Sequence, residues 1–339
     1  MTSKKIRVFI NGFGRIGRSA ARIMLEDEQF ELVGINDLYS FEQIGYLLKY
    51  DSIYGTLPYD IYVQEDTLFI NDDKVKLFSE PDPEKLDMTL LDVDVLLQCS
   101  GIFLTVGSNL PLIKNGAKKV IVSAPPSDAM PTYIYGVNHN DYKGESVISN
   151  SSCSANAIVP LLKIIDKHFG IEAAMMSMYH SYTVYQNLLD SKHYSKDIRR
   201  TRSATQNIIP LMSGAAQATA YFFPKLKGKF TAKSIRVPTP ATTLYDLSTQ
   251  LVNCATKEEI NQLFKKEIDS DDAKILAYTD TIEKSDVYIA NPHSAVLNLF
   301  LTSVVDGTLL RVSAWQDNEY SYAKRLVDMA CMVGEYTDG

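Results

Sequence analysis

The stretch Ile6-Arg7-Val8-Phe9-Ile10-Asn11-Gly12-Phe13-Gly14-Arg15-Ile16-Gly17 decides the fold of the first half of the chain. A short β-like run leads into three glycines spaced G-x-G-x-x-G, and a helical pattern follows to about Leu25. In this setting Gly12 makes the tight turn, Gly14 lets the backbone approach a pyrophosphate, and Gly17 allows the helix to pack closely on the strand. The stretch therefore predicts a Rossmann dinucleotide-binding fold.

The strands that follow predict where a dinucleotide would bind. A second β-like run, 31–36, ends at Asp37, twenty residues after Gly17, where an acidic side chain accepts hydrogen bonds from ribose hydroxyls. Further runs at 93–99 and 118–123 alternate with helical stretches and predict a parallel sheet, while residues 60–80 alternate like a hairpin. Ligands bind beyond the carboxyl ends of parallel strands, so Asp37, Ser100 and Ser123 are predicted to face the cofactor; each serine also suits a helix cap or turn.

A second decisive stretch, Ser149-Asn150-Ser151-Ser152-Cys153-Ser154-Ala155-Asn156-Ala157, stands between a β-like run and a helical pattern. Cys153 is therefore predicted at a helix start, with Ser151 and Ser152 as candidate N-caps. Free backbone N–H groups and the helix dipole favour a thiolate at such a position, and the thiolate is the nucleophilic form. A small buried cysteine is the alternative interpretation.

Beyond Cys153 the pattern changes to long β runs, at 172–180, 231–238, 244–254, 287–290 and 296–304, with a helix around 257–267. The predicted architecture is α/β: an N-terminal Rossmann domain over 1–152 and an α+β catalytic domain with a mainly antiparallel sheet over 153–319. A C-terminal helix, about 320–339, is expected to pack back on the first domain.

Composition narrows the class of protein. The 339 residues are 45% apolar and 22% charged, with a net charge of −7, which argues against a general nucleic-acid binder. No apolar run approaches the length of a membrane span, and the N-terminus leads into a predicted strand and not into a signal segment. The four cysteines, at 99, 153, 254 and 331, show neither metal-ligand spacing nor a disulfide framework. We expect a cytoplasmic protein with reduced thiols and no metal.

Several positions in the second half suggest chemistry. His180 ends a predicted strand, where a histidine can act as a general base near neutral pH. Arg236 stands inside an apolar strand and needs an anionic partner, either a carboxylate or a ligand phosphate. Ser213 and Gly214 begin a helix, which is a natural place for an anion, and Asn318 offers an amide that can pair with a carboxamide.

Taken together, these motifs resemble phosphorylating glyceraldehyde-3-phosphate dehydrogenase over essentially the whole chain. The resemblance is carried by the glycine stretch, the cysteine stretch and five further runs: Leu47–Ser52, Arg199–Arg202, Asn207–Pro210, Arg236–Pro240 and Asp317–Glu319. It implies an NAD-dependent oxidoreductase of glycolysis or gluconeogenesis that turns glyceraldehyde 3-phosphate and inorganic phosphate into 1,3-bisphosphoglycerate through a thioester. It also implies a homotetramer in which a loop at about 182–206 reaches a neighbour's cofactor pocket.

The resemblance implies a role for each candidate residue. Cys153 is the nucleophile and His180 the base. The cofactor set is Gly12, Gly14, Arg15, Ile16, Gly17, Asp37, Ser100, Ser123, Asn318 and Tyr322. Thr183 and Arg236 would hold the substrate phosphate, and the attacking inorganic phosphate would be held by Ser152, Ser154, Ser213 and Gly214.

The chain departs from the family at Tyr185, where a carboxylate is usual near the substrate phosphate. Two alternatives therefore stay open. A related erythrose-4-phosphate dehydrogenase hydrolyses its thioester, and the runs Arg199–Arg202 and Pro292–Ala295 resemble that branch. A non-catalytic NAD-sensing protein on the same scaffold is the other, although the presence of both Cys153 and His180 argues against it.

Overall fold

The computed structural model describes residues 4–336 and divides the chain into two compact units. Unit 1 contains the residues up to Ser152 together with those from Tyr322 onward, and unit 2 contains Cys153–Ser321. Residues 337–339 of the predicted C-terminal segment lie outside the described part.

Unit 1 is built on an eight-stranded sheet with the order β10-β9-β8-β1-β2-β7-β6-β5. All strands from β10 to β7 pair in parallel, and β6 and β5 extend the sheet by antiparallel hairpins. The hairpin predicted within residues 60–80 is thereby confirmed. The strands are β1 (Ile6–Asn11), β2 (Phe30–Asn36), β3 (Tyr50–Asp51), β4 (Gly55–Thr56), β5 (Ile61–Gln64), β6 (Thr67–Ile70), β7 (Asp73–Phe78), β8 (Val93–Gln98), β9 (Ala117–Val122) and β10 (Val147–Ser149), with β3 and β4 forming a separate pair.

The helices of unit 1 start where the sequence supplies caps, with one exception. They are α1 (Arg15–Leu25), α2 (Phe41–Lys49) and α3 (Val106–Lys114). Ser40 and Thr105 form capping boxes for α2 and α3. The N-cap of α1 is Gly14, which has no side chain to bond the first amides. The N-cap residue therefore has no side chain that covers the start of α1.

The central strands of unit 1 are buried on both faces. Phe9, Leu96 and Val120, from three neighbouring strands, are each fully buried in one apolar cluster. Continuous apolar runs are typical of parallel strands that are covered by helices on both sides. This burial explains why β1, β8 and β9 could be predicted from the sequence.

Unit 2 is built on a seven-stranded sheet with the order β12-β13-β11-β14-β17-β16-β15. Only the pairs β11–β13 and β15–β16 are parallel, so the prediction of a mainly antiparallel sheet is confirmed. Its elements are α4 (Cys153–Phe169), β11 (Ile171–Ser181), β12 (Ile209–Met212), α5 (Ala215–Phe222), β13 (Phe230–Val237), β14 (Thr243–Leu251), α6 (Lys257–Asp269), β15 (Leu276–Thr279), β16 (Ala295–Val305) and β17 (Leu309–Gln316).

One row of this sheet matters most for function. Across five neighbouring strands, from β12 to β17, the paired residues are Ile209, Arg236, His180, Thr243 and Gln316. Residues paired across strands lie close together on the same face of a sheet. The register therefore aligns an arginine, a histidine, a threonine and a glutamine at one level of the sheet.

The predicted β run at 287–290 is wrong. Residues Ser285–Tyr288 form a single 3₁₀ turn, in which the Tyr288 ring stacks on Trp315 at 5.2 Å between centroids. The apolar side chains of this short segment are used for that contact and not for strand pairing. Some strand ends also differ from the predicted ones. β14 stops at Leu251, short of the predicted 254, and β8 stops at Gln98, so that Cys99 lies just beyond it.

The C-terminal helix α7 (Tyr320–Glu335) has its residues from Tyr322 onward in unit 1. The ring of Tyr336 packs edge-on against Tyr142, with centroids 5.0 Å apart. A Cβ at Gly334 would come within 2.7 Å of the Ile6 side chain, so the helix lies directly on β1. No helix within residues 4–336 is long and apolar enough to cross a membrane.

Candidate active site

The glycine loop of unit 1 has the geometry of a dinucleotide site. Gly12 has φ of +95°, and a Cβ there would lie 2.4 Å from the Ser100 amide nitrogen. A Cβ at Gly17 would lie 2.3 Å from the Gly12 carbonyl oxygen, whereas beside Gly14 the space is open to 4 Å. The first and third glycines are thus required for packing, and the open side of the second fits close approach by a pyrophosphate at the amides of α1.

A buried chain of amides holds this loop against the strand ends. Asn36 donates to Asn11 Oδ1 at 2.7 Å, Asn11 donates to Gln98 Oε1 at 3.1 Å, and Gln98 donates to Asn109 Oδ1 at 3.3 Å. Three of these residues end β1, β2 and β8. This network was not predicted from the sequence, although three amide side chains at the ends of apolar strands indicate that such side chains can meet at one edge of the sheet.

Asp37 lies directly after β2, as predicted. One carboxylate oxygen accepts from the Phe13 amide at 2.5 Å and the other from the Tyr39 amide at 3.1 Å. The first bond fixes the carboxylate beside the glycine loop. The side chain stays half-exposed, and fixed negative charge there suits ribose hydroxyls and opposes a phosphate.

The other cofactor candidates of unit 1 have varied surroundings. Ser100 adjoins Gly12, and the Ser123 amide donates to the Gln98 carbonyl at 3.0 Å. The Arg15 side chain forms an ion pair with Asp51. Arg15 and Ile16 are the first two residues of α1. Tyr322 is buried and donates its hydroxyl to the Ser151 carbonyl at 3.0 Å, so the structure uses this group to hold the chain before Cys153.

Cys153 is the first residue of α4, as the sequence predicts, and three residues separate it from Ser149, the last residue of β10. Ser151 adopts φ of +58°, a left-handed conformation that is uncommon for serine, and its amide donates to Ser149 Oγ at 2.9 Å. This turn places Cys153 at the start of α4.

The expectation that this position lowers the pKa of Cys153 is wrong. Burial raises the pKa of the thiol above its ordinary value, and this effect exceeds the opposing hydrogen bond with Ser154 and the positive charge of Arg236. The physical reason is desolvation, which penalises the thiolate more than the helix start and one cation favour it. Cys153 therefore depends on nearby charge for its reactivity.

A pair of residues that sequence analysis missed holds the backbone of Cys153. Gln316 donates from Nε2 to the Cys153 carbonyl at 3.1 Å and accepts at Oε1 from the Tyr245 hydroxyl at 2.7 Å. Tyr245 and Gln316 are almost completely buried. A glutamine at the end of the apolar strand β17 is the one sequence signal that could have indicated this link.

His180 ends β11 at the level of Arg236 and Thr243, and it is buried. Its Nδ1 lies 2.7 Å from the Ser181 carbonyl oxygen and 2.5 Å from Arg236 Nη1. Its Nε2 contacts no hydrogen-bonding group within residues 4–336. Burial and the adjacent guanidinium lower the pKa of His180 to about 3, so the ring is neutral near pH 7, which is the form a general base needs.

Arg236 has no carboxylate partner among the described residues. Its Nη1 donates to the Ser181 carbonyl at 2.9 Å, while its Nε is buried without an acceptor. Burial lowers the pKa of Arg236 to about 10, so it remains a cation. The Nε and Nη2 groups of a guanidinium can together donate two parallel hydrogen bonds to a phosphoryl group. In Arg236 neither of these two nitrogens donates to a group within residues 4–336.

The remaining phosphate candidates are near helix starts or turns. Ser152 and Ser154 flank Cys153, and Ser154 Oγ lies 4.0 Å from the Cys153 Sγ. Ser213 accepts from the Ala215 amide at 3.1 Å, beside Gly214 at the start of α5. Thr183 donates to Gln186 Oε1 at 3.1 Å. Tyr185 is half-exposed, with its ring 6.4 Å from that of Tyr194.

Asn318 follows β17 and is buried. Its Oδ1 accepts from the Ser181 hydroxyl at 2.8 Å, and its Nδ2 donates to no group in residues 4–336. Ser181 thus fixes the orientation of the Asn318 amide and leaves its NH₂ group able to donate to a carbonyl oxygen.

The backbone is strained at Thr242, just before β14. Its φ of +72° is rare for a β-branched residue.

Comparison with known protein families matches both halves of the chain. Residues 6–106 match the family model described as glyceraldehyde 3-phosphate dehydrogenase, NAD binding domain. Residues 152–318 match the model for the C-terminal domain of the same enzyme. The fold and the matches define an NAD-dependent oxidoreductase.

Individual relatives agree with these matches. The chain is 41% identical over 333 residues to glyceraldehyde-3-phosphate dehydrogenase 2 of Streptomyces avermitilis, which covers 97% of this chain and 98% of the relative. It is 42% identical to the glyceraldehyde-3-phosphate dehydrogenase of Streptomyces coelicolor, with the same coverage, and 39% identical to glyceraldehyde-3-phosphate dehydrogenase 2 of Bacillus subtilis, with 96% of each chain covered. The chain belongs to the glyceraldehyde-3-phosphate dehydrogenase family.

The charge of Arg236 should control the reactivity of Cys153. We expect Arg236→Met to slow alkylation of Cys153 by iodoacetamide at neutral pH by about tenfold, because one pKa unit changes the thiolate fraction of a mostly protonated thiol by that factor. Peptide mapping gives the rate at each cysteine, with exposed Cys254 as internal reference. Arg311→Met, at an exposed arginine of the same sheet, is the matched control. Equal slowing in both variants, or in neither, contradicts the expectation.

Asp37 should select NAD over NADP. A fixed carboxylate repels the 2′-phosphate of NADP. We therefore expect Asp37→Asn to lower the ratio of kcat/KM for NAD to kcat/KM for NADP by at least about tenfold, which is equivalent to about 1.4 kcal/mol. Asp72→Asn, in the exposed turn between β6 and β7, should leave the ratio unchanged. Similar kcat/KM for both cofactors in the unmodified protein would show that the carboxylate does not discriminate.

Proposed function

We propose that this chain oxidises glyceraldehyde 3-phosphate and phosphorylates it to 1,3-bisphosphoglycerate, with NAD as the oxidant and a thioester on Cys153 as the intermediate. The observation that carries the proposal is the buried Arg236 guanidinium beside His180, which lacks a carboxylate partner and keeps one two-donor edge unused. An aldehyde that bears a phosphate supplies the missing anion. The names of the relatives support the same substrate.

The first half-reaction uses Cys153 and His180. The Cys153 sulfur adds to the aldehyde carbon, and the thiol proton passes to the carbonyl oxygen, so that a hemithioacetal hydroxyl forms; the backbone amide at the start of α4 stabilises the negative charge that develops on this oxygen. His180 then takes the hydroxyl proton at Nε2 as the carbon–oxygen double bond re-forms and the thioester is left on Cys153. When bound, NAD accepts the hydride that leaves the substrate carbon.

The second half-reaction releases the product. An oxygen of inorganic phosphate attacks the thioester carbon, the carbon–sulfur bond breaks, and Cys153 leaves as thiolate, so that the acyl phosphate forms. Helix starts bind anions through their backbone amides, and Ser213 and Gly214 stand at such a start, that of α5. We assign the inorganic phosphate to Ser152, Ser154, Ser213 and Gly214, and the substrate phosphate to Thr183 and Arg236.

We assign the cofactor to the glycine loop, Asp37, Ser100 and Ser123 of unit 1 and to the free amide donor of Asn318. The N-terminal unit is on this view the NAD-binding domain and unit 2 the catalytic domain. The two alternatives are an erythrose-4-phosphate dehydrogenase and an NAD-sensing protein. Each predicts a different dependence of NADH formation on inorganic phosphate, so a measurement of this dependence separates them.

We further propose a homotetramer in the cytoplasm. The outward face of β11 and β12 exposes Met175, Tyr179 and Met212, with 63%, 40% and 82% of their surfaces accessible. Large apolar side chains on one sheet face suit burial against a second copy of the chain. All four cysteines are free, which fits a reducing compartment.

The dependence on phosphate tests the proposed function. With glyceraldehyde 3-phosphate and NAD but no inorganic phosphate, we expect a burst of about one NADH per Cys153 followed by slow turnover, and full turnover once phosphate is added. Cys153→Ser should give no burst. Fast turnover without phosphate, with erythrose 4-phosphate preferred, would indicate the hydrolytic alternative, and absence of any burst would indicate the non-catalytic one.

Arg236 should account for selection of the phosphorylated aldehyde. Hydrogen bonds to a charged group contribute about 1.5–3 kcal/mol, so Arg236→Ala should lower the ratio of kcat/KM for glyceraldehyde 3-phosphate to that for glyceraldehyde by about 10- to 150-fold. The ratio cancels any effect of the substitution that is common to both aldehydes, including effects on Cys153. An unchanged ratio would mean that Arg236 does not bind the substrate phosphate.

A further inference from the structure

Two buried polar side chains on neighbouring strands form a chain of hydrogen bonds to the backbone of Cys153. The Tyr245 hydroxyl, on β14, donates to Gln316 Oε1, on β17, at 2.7 Å, and Gln316 Nε2 donates to the Cys153 carbonyl at 3.1 Å. The residues that flank Tyr245 across the sheet, Met178 and Ala314, are buried and apolar. Packing around Tyr245 therefore does not require a hydroxyl, and burial of a polar group is unfavourable unless it is hydrogen-bonded.

The direction of each hydrogen bond in this chain follows from the groups that it joins. A backbone carbonyl only accepts, so Gln316 must turn its NH₂ group toward Cys153 and its oxygen toward Tyr245. The Tyr245 hydroxyl must then donate, although a phenol can also accept. Burial raises the pKa of Tyr245 well above its ordinary value, so the hydroxyl keeps its hydrogen at neutral and mildly alkaline pH. Both donors in the chain therefore point toward Cys153.

The peptide bond after Cys153 extends this chain to the sulfur. The Cys153 carbonyl and the Ser154 amide belong to the same planar peptide. When a carbonyl accepts a hydrogen bond, its peptide becomes more polarised and the N–H of that peptide becomes a stronger donor. Hydrogen bonding by the Ser154 amide is one of the effects that lower the pKa of the Cys153 thiol, against the larger effect of burial. A stronger Ser154 donor favours the thiolate.

We propose that Tyr245 and Gln316 are positioning residues for Cys153, and that they stabilise its thiolate by polarising the peptide between Cys153 and Ser154. Tyr245 acts through Gln316, and Gln316 acts through the backbone, so the effect of the hydroxyl depends on the amide. The use of this thiolate to form a thioester rests on the proposed function. Its stabilisation is a property of the folded chain without substrate.

The variant Tyr245→Phe tests the proposal because it removes the hydroxyl and keeps the ring. We expect alkylation of Cys153 by iodoacetamide at neutral pH to slow by about threefold, since half a pKa unit changes the thiolate fraction of a mostly protonated thiol by that factor. In the pH profile of the rate, the midpoint should rise and the high-pH plateau should stay the same. Peptide mapping gives the rate, with exposed Cys254 as internal reference. The matched control is Tyr288→Phe, at a second buried tyrosine of unit 2 whose hydroxyl has no hydrogen-bond partner within residues 4–336.

Other charged and titratable groups around the thiol stay constant in this comparison. The positive charge of Arg236, on β13, also acts on the Cys153 thiol, and His180, on β11, contacts Arg236 Nη1 at 2.5 Å. Both variants retain these two residues. A rise of the midpoint in Tyr245→Phe that Tyr288→Phe lacks therefore reports on the Tyr245 hydroxyl.

A double-mutant cycle separates action through Gln316 from a direct effect of the hydroxyl. Gln316→Met removes the amide and keeps an unbranched side chain of similar length. Because the hydrogen bond to the Cys153 carbonyl is lost, we expect alkylation to slow by about tenfold, the factor that corresponds to one pKa unit. In this background Tyr245→Phe should have no further effect. Equal slowing by Tyr245→Phe in both backgrounds, an unchanged midpoint in Tyr245→Phe, or an equal shift in Tyr288→Phe would overturn the proposal.

The NADH burst distinguishes this proposal from the function on which it rests. With glyceraldehyde 3-phosphate and NAD at neutral pH, Tyr245→Phe should slow the burst by about the same threefold and leave the KM for NAD unchanged. If the unmodified protein gives no burst but alkylation still responds to Tyr245 and Gln316, the proposed function fails and the positioning role stands. A normal burst together with alkylation that does not respond overturns the positioning role alone. The comparison of Tyr245→Phe with Tyr288→Phe decides the question even if Gln316→Met fails to fold.

Discussion

The parallel pairing of β11 with β13 is the constraint on which the rest of the site depends. It sets His180 opposite Arg236, and the neighbouring antiparallel pairs extend the same level of the sheet to Thr243 and Gln316. Side chains alternate between the faces of a strand, so a slip of one residue would turn one partner to the opposite face. The register of the sheet thus places His180, Arg236 and Gln316, whose side chain holds the Cys153 carbonyl, at one level.

The charge of Arg236 is the second feature on which the site depends. A buried cation without a carboxylate partner destabilises the folded protein. Within residues 4–336, the side chain of Arg236 forms hydrogen bonds with the Ser181 carbonyl and the His180 ring, and a bound anion would stabilise it further. The same charge contributes to the low pKa of His180 and opposes the rise in the pKa of Cys153 caused by burial. One guanidinium therefore affects both the Cys153 thiol and the His180 ring, and in the proposed function it also binds the substrate phosphate.

Local sequence patterns predicted the features that depend on neighbouring residues. The glycine loop, Asp37 after β2 and Cys153 at the start of α4 each follow from a strand–turn–helix pattern within a few positions. Contacts between distant segments were not predictable in this way: the link from Tyr245 through Gln316 to Cys153 joins residues 71 and 163 positions apart. The direction of the Cys153 pKa was missed for the same reason, since desolvation depends on how the whole of unit 2 packs around the thiol.

The most direct test of this account is a crystal structure of the Cys153→Ala protein with NAD and glyceraldehyde 3-phosphate bound. We predict two phosphate oxygens of the substrate within hydrogen-bond distance of Arg236 Nε and Nη2. A substrate phosphate bound elsewhere, with neither of these nitrogens in contact with it, would contradict the assignment.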